Sequence, residues 1–160
     1  MASIVEQATV AFVALVAAIP SITVKRNEDV PVNFVTASLP VVNIVDVGDV
    51  DGAPHFPGPS PRYVASDVAE FAWRLDLAGY VTANASTALG PARDALRLAV
   101  TRVVNANRVL TSSGTQLTFD VLPGSAELGL ESEPGKPVAV FRMPVTLYGK
   151  SQISDPAIAA

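Results

Sequence analysis

The chain has 160 residues, 49% of them hydrophobic, a formal net charge of −4, no cysteine and one histidine. That apolar content supplies a core and excludes a disordered or collagen-like chain, and the length fits one domain. The missing cysteines exclude disulfides and thiol catalysis, and the lone His55 excludes any site built on two histidines.

Residues 1–60 carry two basic and six acidic groups, while residues 61–160 carry nine of each. No strongly basic face is implied, so tight sequence-independent binding of nucleic acid is not expected. An acidic surface can still line a passage through which DNA slides, because like charges repel.

Ser3 and Glu6 form a capping box for a helix over 4–18, whose face Ile4, Ala8, Ala11, Phe12, Leu15 and Ile19 is apolar and which Pro20 ends. The run from Ala8 to Ile19 resembles a signal-peptide core. No Lys or Arg precedes it, however, and it is shorter than the roughly 20 residues that span a bilayer, so a soluble helix and no membrane partner are expected. The opposite face offers Val10, Val13 and Ala17 instead of charges, which points to a cover on more than one side, such as an intermolecular contact.

Strands are predicted at 22–26 and 39–47, the second led by Pro40, with Val30 to Ser38 irregular between them. The carboxylates of Asp46, Asp49 and Asp51 lack EF-hand spacing and read as a solvated turn; no metal or cofactor site is predicted. Residues 54–61 hold four prolines and form a projecting loop. His55 within it has no G-x-S-x-G partner and reads as an exposed residue packing on Phe56 or on a neighbouring chain, with no catalytic group assigned.

From Glu70 to Thr82 the chain alternates, with Phe71, Trp73, Leu75 and Leu77 on a core face and Ala72, Arg74, Asp76 and Ala78 on a surface face. A helix follows over 87–107, capped by Ser86, with Leu89, Ala92, Leu96, Ala99, Val100, Val103 and Val104 as its buried stripe. Arg93 and Arg97 lie one turn apart on its outer face; without a Gly-rich loop they read as solvated rather than as a phosphate clamp. Strands at Thr115 to Val121 and Val138 to Tyr148 close the fold, joined by an acidic, Gly-containing connection over 127–137. Pro144 cannot donate to a ladder, which places the last strand at a sheet edge or at a bulge. The expectation is a single α+β domain over 1–160: a mixed or antiparallel sheet of about four to six strands packed by two main helices, with an extended tail at 151–160.

The order helix, two strands, a long strand ending Arg74-Leu75-Asp76-Leu77, helix, and a closing pair ending Phe141-Arg142-Met143-Pro144-Val145-Thr146-Leu147-Tyr148 resembles the tail terminator and tail-completion proteins of long-tailed bacteriophages. Ile22 to Arg26 and the Pro-led strand Leu39 to Val45 carry the same resemblance, while the loop 54–61 and the connection 120–137 depart from the shorter members. The resemblance implies a homo-oligomeric ring, commonly hexameric, in the virion neck, assembled in the host cytoplasm. Its partners would be the tail tube protein and the head–tail connector or stopper, with DNA passing through the lumen without specific binding. Arg74, Asp76, Arg93, Arg97 and the loop residues Pro54, His55, Phe56 and Pro57 are the expected partner-contact residues. The alternatives are another neck or tail component, such as a head-completion protein or tube subunit, and a small-ligand-binding or enzymatic α+β domain using Arg74, Asp76 and Tyr80.

Overall fold

The computed structural model describes residues 2–28, 39–56, 58, 62–65, 67–82, 88–133, 136–152 and 155–159. Helix α1 (Ile4–Ala17) starts where Ser3 caps it, its hydroxyl accepting the Glu6 N–H at 3.2 Å. The reciprocal half of the box is not made. The Glu6 carboxylate instead takes the Arg26 guanidinium in a two-point contact, 2.7 Å at each oxygen, because a charge-assisted bidentate bond outweighs a backbone N–H. Ile4, Ala8, Phe12 and Val16 recur every four residues and are buried. Helix α2 (Leu89–Ala106) buries Leu96, Val100 and Val104 and begins after Ala88 with no side-chain cap; the expected cap Ser86 lies outside the described residues.

Among the described residues, nine strands follow the order β1 (Thr23–Arg26), β2 (Val41–Asp49), β3 (Arg62–Ala65), β4 (Val68–Thr82), β5 (Thr111–Ser112), β6 (Thr115–Gln116), β7 (Asp120–Pro123), β8 (Glu127–Glu133) and β9 (Lys136–Gln152). Seven form one sheet in the order β1-β2-β4-β9-β7, with β3 beside β4 and β8 beside β9, while β5 and β6 make a separate small hairpin. Its spine is the antiparallel ladder of β4 and β9, which runs from Val68 opposite Gln152 to Thr82 opposite Val138. Across the sheet Thr23, Val41, Tyr80, Val140 and Gly129 lie in one row, so β1 and β8 are the two edges at the same level.

Alternation sorts the two faces. Phe71, Leu75, Leu77, Phe141, Met143, Val145 and Leu147 share one core with the buried stripes of α1 and α2, so both helices cover the same face. Among the described residues, the other face carries no helix. Tyr80, Val138 and Val140 form a small cluster at one end of it, and Ala53, Phe56, Ala72 and Tyr148 form another at the opposite end.

The α+β class, the two helices and the mixed sheet match the expectation from sequence, but the sheet has more strands than the four to six expected. The acidic stretch after Glu127 is not a loop: Glu127, Gly129 and Glu131 point to one face and Leu128 and Leu130 to the other, as a strand requires. Nor is β9 an edge. It is central, and Pro144 is tolerated because its neighbour is broken there between β7 and β8. Tyr148 and Pro144 accept from Phe119 and Gly124 on that side, so the missing Pro144 N–H also faces the break. Of the stretch 115–121, only Thr115–Gln116 and the start of β7 are strand. The loop expected to project is in part folded back, with Ala53 and Phe56 buried against Ala72 and Tyr148. The tail also returns to the body: Ser151 bridges Ala159, and Ile4 donates its N–H to the Pro156 carbonyl at 2.7 Å. The stretch 46–49 belongs to β2 with a bulge between Asp46 and Gly48, and Asp46 faces Arg26 and Asn27 rather than water.

Candidate functional site

Between its two end clusters the open sheet face holds a shallow concavity of about 600 Å³. β4 supplies Arg74, Asp76, Ala78 and Tyr80 as successive outward residues, and β9 supplies Arg142 and Pro144 beside them. Glu127 and Glu131 of β8 form one wall, and Asn43 and Val45 of β2 with Glu28 form the other.

Most charges on this face are matched from within. Arg74 makes a two-point contact with Asp76, 2.7 and 3.2 Å, two residues along the same strand and therefore on the same face. Arg142 pairs with Glu131 across the β8–β9 ladder, and the same guanidinium reaches the Tyr80 phenol. Tyr80 is only 3% exposed, and burial together with the nearby Glu131 carboxylate raises its phenol above the usual value. Asn43 donates its amide N–H to the Glu28 carbonyl at 2.9 Å. The result is a polar, largely neutralised surface with apolar patches, suited to association with another surface more than to holding a strongly charged small molecule.

A second recess, about 500 Å³, lies at the far end of the sheet and is lined by His55, Phe56, Glu70, Phe119 and Lys150 among others. His55 Nε2 stands 2.6 Å from Asp120 Oδ2, and the His55 ring sits edge-on to Tyr148 with centroids 4.6 Å apart. Phe56 and Phe119 complete the aromatic group. Arg108 also grips Asp120, at 2.5 and 2.8 Å, and its hydrogen bond together with that of His55 holds the Asp120 carboxyl below the usual range against the opposing effect of burial. Thr118 is buried in this recess, and its hydroxyl accepts the Leu110 N–H at 2.9 Å. His55 therefore works as a clamp that fastens the proline-rich loop to β7.

The partner residues expected from sequence do not form one surface. Arg74 and Asp76 meet on the open face, whereas Arg93 and Arg97 belong to α2 on the opposite side of the sheet. Arg93 pairs with its neighbour Asp94 at 3.3 Å, and Arg97 is half-buried with an unpartnered buried Nε, so neither is a freely solvated residue of an outer face. Pro54 is exposed, His55 and Phe56 form the clamp described above, and Pro57 lies outside the described residues. Sequence reasoning missed Arg142, Glu131, Asp120 and Arg108. The alternation of Glu127, Gly129 and Glu131 carried the signal for β8, but nothing local tied His55 to Asp120.

No protein-family model matches this chain, and no curated protein matches its sequence.

Proposed function

We propose that this protein is a structural virion component of a long-tailed bacteriophage, a tail terminator. It forms a ring at the head-proximal end of the tail tube, stops tube polymerisation and offers a docking surface to the head connector. The observation that carries this reading is the element order together with its layering. A capped helix, a Pro-led strand, a long β4–β9 pair and a second helix build a sheet with both helices on one face. The second face and the edges are thereby left for neighbours, and the charged groups on that face are paired with each other rather than arrayed around a reactive atom. The ring would hold about six copies if it follows the family, with the tube protein on one side, the connector or stopper on the other, and DNA passing through without specific contacts. The chain would work in the virion neck after assembly in the host cytoplasm. Purified protein that closes into rings of fixed size supports this reading; indefinite stacking would instead indicate a tube subunit.

The concavity at Arg74, Asp76 and Tyr80 favours a second reading, a ligand-binding α+β domain. A thermal-shift screen of small metabolites separates the two: a saturable rise in Tm that Arg74→Ala and Asp76→Ala abolish would favour the ligand.

A further inference from the structure

The two edges of the seven-stranded sheet are complementary to each other. On β1, Thr23 and Asn27 donate inward to Pro40 and Ile44 of the β2 side, each at 2.9 Å, so the backbone groups of Val24 and Arg26 point outward. On β8, Glu127, Gly129 and Glu131 face β9, so the backbone groups of Leu128 and Leu130 point outward. Among the described residues, neither outer edge pairs with another strand. Leu128 and Leu130 are 51% and 71% exposed on the helix side of the sheet, beyond the cover of α2. Exposed leucines on an unpaired edge are a template for strand addition, which natural monomers normally block with charge, proline or a bulge.

We infer that β8 of one copy pairs with β1 of the next, continuing the sheet from subunit to subunit. This contact deepens the ring reading and rests on it. The strand directions fit: β1 is parallel to β2, and each later neighbour on the path to β8 reverses direction, so β8 and the next copy's β1 meet antiparallel. The side chains fit as well. On the helix side, Val24 and Ile22 of the incoming copy meet Leu128 and Leu130. On the open side, Lys25, which within the monomer pairs with the exposed Glu28, comes beside the acidic Glu127. The acidic strand, with Glu127 and Glu131 on the open face, thus receives the edge that carries Lys25 on the same face. Because the two surfaces differ, the contact is heterologous, and it closes into a ring when the rotation per copy divides a full turn.

The test uses the full chain and proline at outward-facing positions, where a lost N–H removes no bond within the monomer. Leu130→Pro blocks the β8 edge, and Val24→Pro blocks the β1 edge. By native mass spectrometry each variant alone is expected to be monomeric with wild-type circular dichroism, and an equimolar mixture to yield heterodimers and nothing larger, since each member keeps one working edge. A charge pair provides an independent route that does not touch the backbone: Lys25→Glu weakens assembly by roughly tenfold or more, and adding Glu127→Lys restores it. Wild-type assembly by both proline variants, absence of the heterodimer, no rescue by the charge swap, or a wild-type chain monomeric at all concentrations overturns the contact. Open filaments dissolved by both proline variants would uphold the contact while discarding the ring.

Discussion

Gly79 of β4 lies directly opposite Phe141 of β9, and the phenyl ring occupies the space a side chain at 79 would need: a Cβ there would stand 2.1 Å from the ring. Eight residues away the relationship is reversed, with Phe71 opposite Gly149 and a Cβ at 149 only 2.3 Å from the Phe71 ring. Each aromatic ring shields the backbone of the glycine it crosses, and the two pairs pin the register of the longest ladder in the protein.

Gly79→Ala is expected to destabilise the chain by about 1–3 kcal/mol through overpacking, and Phe141→Leu to recover part of that loss when combined with it. Urea denaturation of the two single variants and the double variant measures the coupling. Strict additivity would show that the ring does not depend on this glycine.

Gly124 donates its N–H to the Pro144 carbonyl at 2.8 Å, and a Cβ at 124 would stand 2.7 Å from Pro144 Cγ. Gly124→Ala should therefore cost about 1 kcal/mol or more, with the cost reduced in a Pro144→Ala background. An unchanged penalty in that background would mean that the break between β7 and β8 is set by something other than the proline.

The Glu6 carboxyl is held below its ordinary range, first by hydrogen bonding from Arg26, and Asp120 likewise by Arg108 and His55. A carboxylate whose pKa is lowered on folding contributes stability that is present above its unfolded value. The contribution is lost as pH falls through the folded value. The gap in urea midpoint between wild type and Asp120→Asn should therefore shrink as pH falls below about 4. A gap that widens on acidification below that point would contradict the assignment.

Arg74 and Asp76 are both substantially exposed, so reversing either charge should change stability by no more than about 1 kcal/mol. Joining of tails to heads should nevertheless fall with Arg74→Glu if the open face meets a partner. Full joining efficiency with the monomer intact would remove Arg74 from the contact.

The long elements were legible because each is governed by its own period. α1 repeats its buried residues every four positions from a Ser3 cap, and the 71–77 alternation of β4 separates its two faces. β8 was obscured because its inward partners are glutamates and a glycine, a composition that signals a loop unless the intervening Leu128 and Leu130 are read as the second half of an alternation. The proline rule pointed β9 to an edge because it assumes an unbroken neighbouring strand, and the break opposite Pro144 is a tertiary fact. The same holds for the site. Arg74 and Asp76 share a face by their spacing alone, whereas His55 and Asp120 meet across 65 residues of chain.

Electron microscopy of particles assembled without this chain tests the central claim most directly. A tail terminator predicts overlong tubes separated from filled heads. Tails of normal length joined to heads would contradict it.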